Sequence, residues 1–235
     1  MHETAGLRVL PVPGLPEISR GADLAGLIAG AVALEEGDVV VVTQKIVSKS
    51  EGRMVRVDPA DPSAKRRLAE SEGVRVLRRR GELVITETRQ GYVCANSGVD
   101  FSNVEDGWAA LLPEDADRSA RRIRDGLRAR TGREVAVVVS DTFGRAWRRG
   151  VVDVAIGCAG IRGIVDLRGT KDALGRELVA TEMCVVDEIA AAAELVMGKA
   201  AKVPVAVVRG VDPSVLGPGS VGADVIRPYA EDLFR

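Results

Sequence analysis

The chain has 235 residues, of which 46% are apolar, 29% charged and 3% aromatic, with a formal net charge of -1. That length allows one substantial core or two small intertwined ones, and the near-neutral charge excludes a global attraction to nucleic acid or to anionic membranes. No apolar run approaches the roughly 20 residues needed to cross a bilayer, and the opening MHETAGLRVLPV lacks the layout of a secretion signal.

In chain order, strand-like runs fall at 7–12, 38–48, 82–88, 92–95, 135–140, 152–156 and 203–208. Most are rich in valine and apolar on both faces, as VVVV at 39–42 and VAVVV at 135–139, which suits strands covered on two sides. The runs at 82–88 and 92–95 read as a hairpin turning at Gly91. Helical patterns fall at 23–32, about 62–72, about 115–131 and in a segment ending near Met197, whose start lies between Glu182 and Asp187. In the third, Ala116, Ala120, Ile123 and Leu127 form an apolar stripe, and its arginines read as a solvated face. Gly198 fits the position just past the fourth. An antiparallel hairpin among interleaved helices points to an α+β fold with mixed sheets. The whole chain, 1–235, reads as one domain.

The residue inventory narrows the chemistry. His2 is the only histidine, which excludes a Ser-His-Asp triad and argues against catalytic zinc. Cys94, Cys158 and Cys184 are odd in number, far apart and without CxxC spacing, so they read as reduced core thiols of a cytoplasmic protein. Catalysis must rest on carboxylates, cations, metal or bound substrate.

Three segments carry chemistry. In VSDTFGRAWRRG, 139–150, a buried strand ends in Asp141-Thr142 and a glycine turn, followed by Arg145, Arg148 and Arg149. Asp141 could meet a hard cation and the guanidinium groups a phosphate; equally, Asp141 could cap a turn and the arginines be solvated. In ANSGVDFSNV, 95–104, Asp100 and Asn103 follow the hairpin's return strand, as metal ligand and partner or as turn formers. In GDVVVVTQKIVSKSEGR, 37–53, Lys45 and Lys49 with Gln44 follow a buried strand, as phosphate-binding point charges or as solvated lysines. Gly217-Pro-Gly219-Ser-Val-Gly222 matches GxGxxG, but it follows no clear strand and reads as a flexible loop. No P-loop is present: Gly198-Lys199 is followed by Ala200.

Together with PVPGLPEI at 11–18, KDALGRELVATEMCVVDEIAAAAELVMGK at 171–199 and PVAVVRG at 204–210, these segments resemble the coenzyme F420-0:L-glutamate ligase family from residue 7 to about 210. The resemblance implies an α+β fold of two lobes in an intertwined homodimer. It implies GTP as co-substrate and two divalent ions, Mg2+ or Mn2+, with K+ as a further candidate. By matching position, Asp100, Asp141 and Thr142 fall where the family places metal ligands. Leu15, Pro16, Glu17, Ile18, Gln44, Lys45, Lys49, Asn103, Met197 and Gly198 fall where it meets guanine nucleotide; Arg145, Arg148 and Arg149, read from the strand-and-turn pattern alone, are candidate phosphate or substrate contacts. The implied reaction joins L-glutamate to the lactyl carboxylate of F420-0, or its dehydro form, through an acyl phosphate, and extends by γ-linked glutamate. Some actinobacterial relatives fuse such a domain, after a DLF sequence, to a flavin domain; this chain stops at EDLFR, so it reads as free-standing or as the ligase half of a fusion. The rival of another class is a guanine-nucleotide-binding regulatory or scaffold domain without turnover; glutamate-dependent GTP hydrolysis separates the two. A dinucleotide oxidoreductase would rest on GPGSVG alone.

Overall fold

A computed structural model describes residues 6–102, 104–199 and 201–232. Its elements, in order, are β1 (Arg8–Pro11), α1 (Leu24–Ala31), β2 (Val39–Thr43), α2 (Gln44–Glu51), β3 (Met54–Arg56), α3 (Ala64–Glu72), β4 (Gly73–Arg80), β5 (Leu83–Thr88), β6 (Val93–Ala95), β7 (Trp108–Ala110), α4 (Ala116–Thr131), β8 (Ala136–Arg145), β9 (Arg148–Ala159), β10 (Val165–Asp166), β11 (Glu182–Met183), α5 (Val185–Met197) and β12 (Val205–Arg209). The α+β class with mixed sheets is as expected.

The main sheet runs β1-β12-β2-β8-β9. Only the β2–β8 pairing is parallel. Its valines alternate between two cores. Val40, Val42, Val137 and Val139 meet α1, α2 and α4 through residues such as Ile28, Ile46 and Leu127. Val39, Val41, Ala136 and Val138 meet α5 through Val186, Ile189 and Ala193. Both faces are therefore covered, which is why these strands carry no polar alternation. The helix α4 opens on Asp115, whose side chain accepts from Arg118 N at 2.8 Å, and stops at Gly132 with φ +68°. The expected stripe of Ala116, Ala120, Ile123 and Leu127 is the buried face.

A smaller sheet, β4-β5-β6, carries the hairpin with Gly91 at φ +92°, and β3 pairs separately with β7. Val99, Ala109 and Leu111 form a separate small core beside them. The arginine-rich β4 was not anticipated from sequence.

Three expectations are corrected. The run 38–48 is not one strand: β2 ends at Thr43 and α2 begins at Gln44. The QKIVSKSE segment places Ile46 and Val47 inward at helical spacing, and Gly52 at φ +72° ends it. Burial of that face outweighs the strand preference of its β-branched residues. Second, the strand at 135–140 does not stop at Asp141 and turn at Gly144. It continues to Arg145, and the reversal falls at Ala146-Trp147, with Trp147 at φ +58°. Third, GPGSVG is not a flexible loop. A Cβ on Gly219 would lie 2.1 Å from the Ile161 carbonyl oxygen, so the backbone packs against 161–163.

That segment is also latched. Asp117, in the first turn of α4, accepts from Cys158 N at 2.7 Å and Val221 N at 2.9 Å on one oxygen. Its other oxygen accepts from Ser220 Oγ at 2.7 Å and Gly222 N at 3.0 Å. Four donors and the helix N-terminus satisfy a buried carboxylate without a cation.

Candidate active site

At the end of β2, α2 starts a helix that carries Lys45 and Lys49 four residues apart, hence on one face. Lys45 Nζ lies 2.9 Å from Asp100 Oδ2 and 2.9 Å from Ser102 Oγ. Lys49 pairs with Glu17. Two of the three chemical segments are thus joined directly by the Lys45–Asp100 pair. Gln44 is buried; its amide donates to Leu111 O at 2.9 Å and Ser48 Oγ at 2.7 Å, fixing α2 against the strand after Asp100.

Asp100 is held by paired backbone bonds with Ala110, each 2.9 Å. Burial disfavours its charge, but hydrogen bonds from Lys45 and Ser102 outweigh that and keep its carboxyl below the ordinary value. Asp141 is the opposite case. Burial pushes its carboxyl up to about 7, against one hydrogen bond from Thr142 N, and the charges of Asp100 and Asp153 add to the rise while Lys199 opposes it. A carboxylate so short of positive partners favours a cation, which is the test the site passes for a divalent ion. Among the described residues no three acidic or thiol side chains form a ready-made cage. Asp100, Asp141 and Thr142 would supply hard oxygen donors, with phosphate oxygens completing the shell.

The remaining expected residues spread around this centre. Leu15 is half-buried and Ile18 lies in the main core, while Pro16 and Glu17 are exposed beside α2. Met197 is a core side chain at the end of α5, so only its backbone could meet a ligand; Gly198 follows at φ +58°. Arg145, Arg148 and Arg149 sit exposed at the tip of the β8–β9 ribbon, about 13 Å along the strand from Asp141. They do not converge on the carboxylates within this chain. Asn103 lies outside the described residues.

Asp153 escapes the sequence reading near the site, and Lys199 enters it only within the Gly198-Lys199 pair that fails as a P-loop. Asp153, an acid inside the apolar VVDVAIG run, accepts from Ser140 and Thr142. Lys199 donates to Thr142. The first could have been flagged as an acid in a buried strand; the second depends on how the loop after α5 folds back. The thiols take no part: burial pushes Cys94, Cys158 and Cys184 up to about 12. A cavity of about 580 Å³ beside Arg121, Arg124 and Leu216 opens at the other end of the main sheet, by Ala136 and Ala159. Chemistry, not volume, selects the Asp100–Asp141 region.

Residues 14–210 match the family described as F420-0:Gamma-glutamyl ligase. The chain is similar to proteins named coenzyme F420:L-glutamate ligase. That of Methanopyrus kandleri is 44% identical, covering 97% of this chain and 98% of its own. That of Archaeoglobus fulgidus is 42% identical, over 97% of this chain and 96% of its own. That of Methanothermobacter thermautotrophicus is 40% identical, over 98% and 99%.

Proposed function

This chain belongs to the F420-0:gamma-glutamyl ligase family, and from that premise we propose that it joins L-glutamate to coenzyme F420-0 at the expense of GTP, as one ligase domain in a homodimer. The observation that carries the reading is a cluster of hard oxygen donors ringed by lysines: Asp100 holds Lys45 at 2.9 Å, Thr142 takes Lys199 at 2.6 Å, and half-buried Asp141 lies beside Thr142, its carboxyl raised by burial and by the charge of Asp100.

The lactyl carboxylate of the acceptor attacks the γ-phosphorus of GTP, and the bond to the β-phosphate oxygen breaks, releasing GDP. The amine of glutamate then attacks the acyl carbon; phosphate leaves, the amine loses a proton and an amide remains. Neither step needs a protein nucleophile; both need positioning and charge neutralisation. Lys45 and Lys49, on one face of α2, would take the phosphates, giving up Asp100 and Glu17 to do so. Asp100, Asp141 and Thr142 would hold the divalent ions, Mg2+ or Mn2+ with K+ in support, whose contribution is to withdraw charge from the phosphate oxygens. The segment 15–18 leans on α2 and would border the guanine. The β8–β9 ribbon extends past β2, which stops pairing at Ser140, and leaves Trp147 82% and Val151 62% exposed; burial of such an arm against a second copy fits the dimer.

The test is mass spectrometry of the deazaflavin product after incubation with GTP, Mg2+ or Mn2+ and glutamate. Products heavier by one or more glutamate residues are expected. GTP binding without glutamate-dependent turnover would replace the ligase by a nucleotide-binding regulatory domain.

A further inference from the structure

Lys199 stands at an exposed position two residues past the last residue of α5, after a glycine at φ +58°. It nonetheless reaches Thr142, with Nζ 2.6 Å from Oγ1. The proton arrangement there is fixed by Asp153. Ser140 Oγ lies 2.8 Å from one of its oxygens and Thr142 Oγ1 lies 2.7 Å from the other. Asp153 is 3% exposed and Ser140 fully buried. A carboxylate only accepts, so both hydroxyl protons point to Asp153 and the lone pairs of Thr142 point away from it. Those lone pairs meet the Lys199 ammonium, a compact cation with three donors. The same relation recurs at Asp100, where Lys45 Nζ lies 2.9 Å from Oδ2. Two of the three expected metal ligands therefore each carry a lysine.

We propose that Lys199 is the chain's own cation at the Thr142 position: its ammonium competes with a divalent ion for the Thr142 oxygen and, when that ion binds, swings on Gly198 to the polyphosphate of the bound nucleoside triphosphate. Asp153 is the positioning residue that keeps Thr142 an outward acceptor for either cation. The inference rests on the metal- and triphosphate-binding reading above. It adds to that reading a phosphate-contacting lysine from the segment after α5, opposite in sequence to the pair on α2. Its consequence is a divalent-ion affinity held down in the nucleotide-free enzyme and released when triphosphate offers Lys199 another partner.

The experiment measures Mn2+ binding to the full chain by electron paramagnetic resonance without nucleotide, then GTP affinity by calorimetry at saturating Mn2+. Lys199→Gln should bind Mn2+ about 5- to 10-fold more tightly, because a nearby positive charge is gone, and GTP about 10-fold more weakly, because a charge-assisted contact is lost. Lys199→Arg should stay near wild type in Mn2+ affinity, and Lys202→Gln, on an exposed loop position, should change neither quantity. Unchanged or weaker Mn2+ binding by Lys199→Gln overturns the inference, as does an equal gain from Lys202→Gln. Asp141→Asn separates the two levels. If it binds Mn2+ like wild type, the metal reading itself fails; if it loses Mn2+ while Lys199→Gln gains nothing, only the assignment of Lys199 fails.

Discussion

Replacing Asp141 by asparagine should stabilise the metal-free protein above neutrality and abolish its stabilisation by metal. The carboxyl of Asp141 is raised from 3.8 to about 7, first by burial and further by Asp100 and Asp153. The folded chain therefore holds this proton more tightly than the unfolded chain between those two values, so stability falls as pH rises through that window and stays low above it. Just over three pKa units at 1.36 kcal/mol each set a ceiling of about 4 kcal/mol on the penalty at pH about 8. Asparagine keeps an acceptor for Thr142 N, but its amide N–H groups need partners, which returns about 1–2 kcal/mol. The net expectation is a gain of about 2 kcal/mol at pH about 8, or about 4–8 °C in midpoint for a chain of this size. Near pH about 4 the carboxyl penalty vanishes, so the same variant should be less stable than wild type by about 1 kcal/mol. Denaturant titrations with a chelator, run across that pH range, read the crossing directly. Adding Mn2+ should then raise wild type and leave the variant unmoved. A stability difference that keeps one sign and one size from pH about 4 to about 8 would refute the reasoning, because it would mean that Asp141 carries no buried, uncompensated charge.

Other outcomes follow from particular contacts. Lys45→Ala and Lys49→Ala should each weaken GTP binding by about 1–3 kcal/mol in calorimetry; unaltered affinity in both would remove the phosphate-grip assignment. Arg209→Ala strips the partner from Asp38, whose side chain is 0% exposed, and should cost about 3–5 kcal/mol of stability in urea titration with turnover per folded molecule unchanged. Gly157→Ala would put a Cβ 2.3 Å from the Ala116 carbonyl carbon and should cost more than about 4 kcal/mol. Gly144→Ala, where nothing lies within 4 Å, should stay within about 0.5 kcal/mol. Light scattering should give twice the 24.8 kDa protomer mass; a stable, active species at 24.8 kDa would exclude the dimer.

What could be read from sequence follows from how local each signal is. Valine runs such as 39–42 announce a sheet covered on two faces, because each residue's neighbours on either side are apolar whatever the strand order. Two residues on, the change of period at Gln44 hides inside QKIVSKS, where β-branched residues favour a strand and only the Ile46–Val47 and Lys45–Lys49 spacings suit a helix. The helix wins because Ile46 and Val47 join the main core, where α2 packs against β7 and β8, partners that no local window contains. Sequence puts the turn at Gly144 because glycine is the usual marker; the reversal uses Trp147 in a left-handed conformation, which its neighbours do not announce. Asp100 and Asp141 were legible as acids leaving buried strands. Their mutual influence, the Ser140–Asp153–Thr142 unit and the reach of Lys199 depend on the register of β8 with β9 and on a loop closing from far along the chain.

The four donors gathered on Asp117 give the chain an unexpected mechanical character. A pull applied beyond residue 225, once it had freed Tyr229 from Arg75 and Ile226 from its packing, would load the bonds from Ser220, Val221 and Gly222 to that carboxylate, in parallel, before tension reached the hydrogen-bonded ladder of the main sheet. Once released, the carboxylate would keep only the Cys158 amide among its four donors, and the three lost charge-assisted bonds would favour re-closure. A partner or surface tethered to the chain past that point would therefore tug on a self-resetting clasp, and the carboxylates around Asp141 would be shielded from the strain.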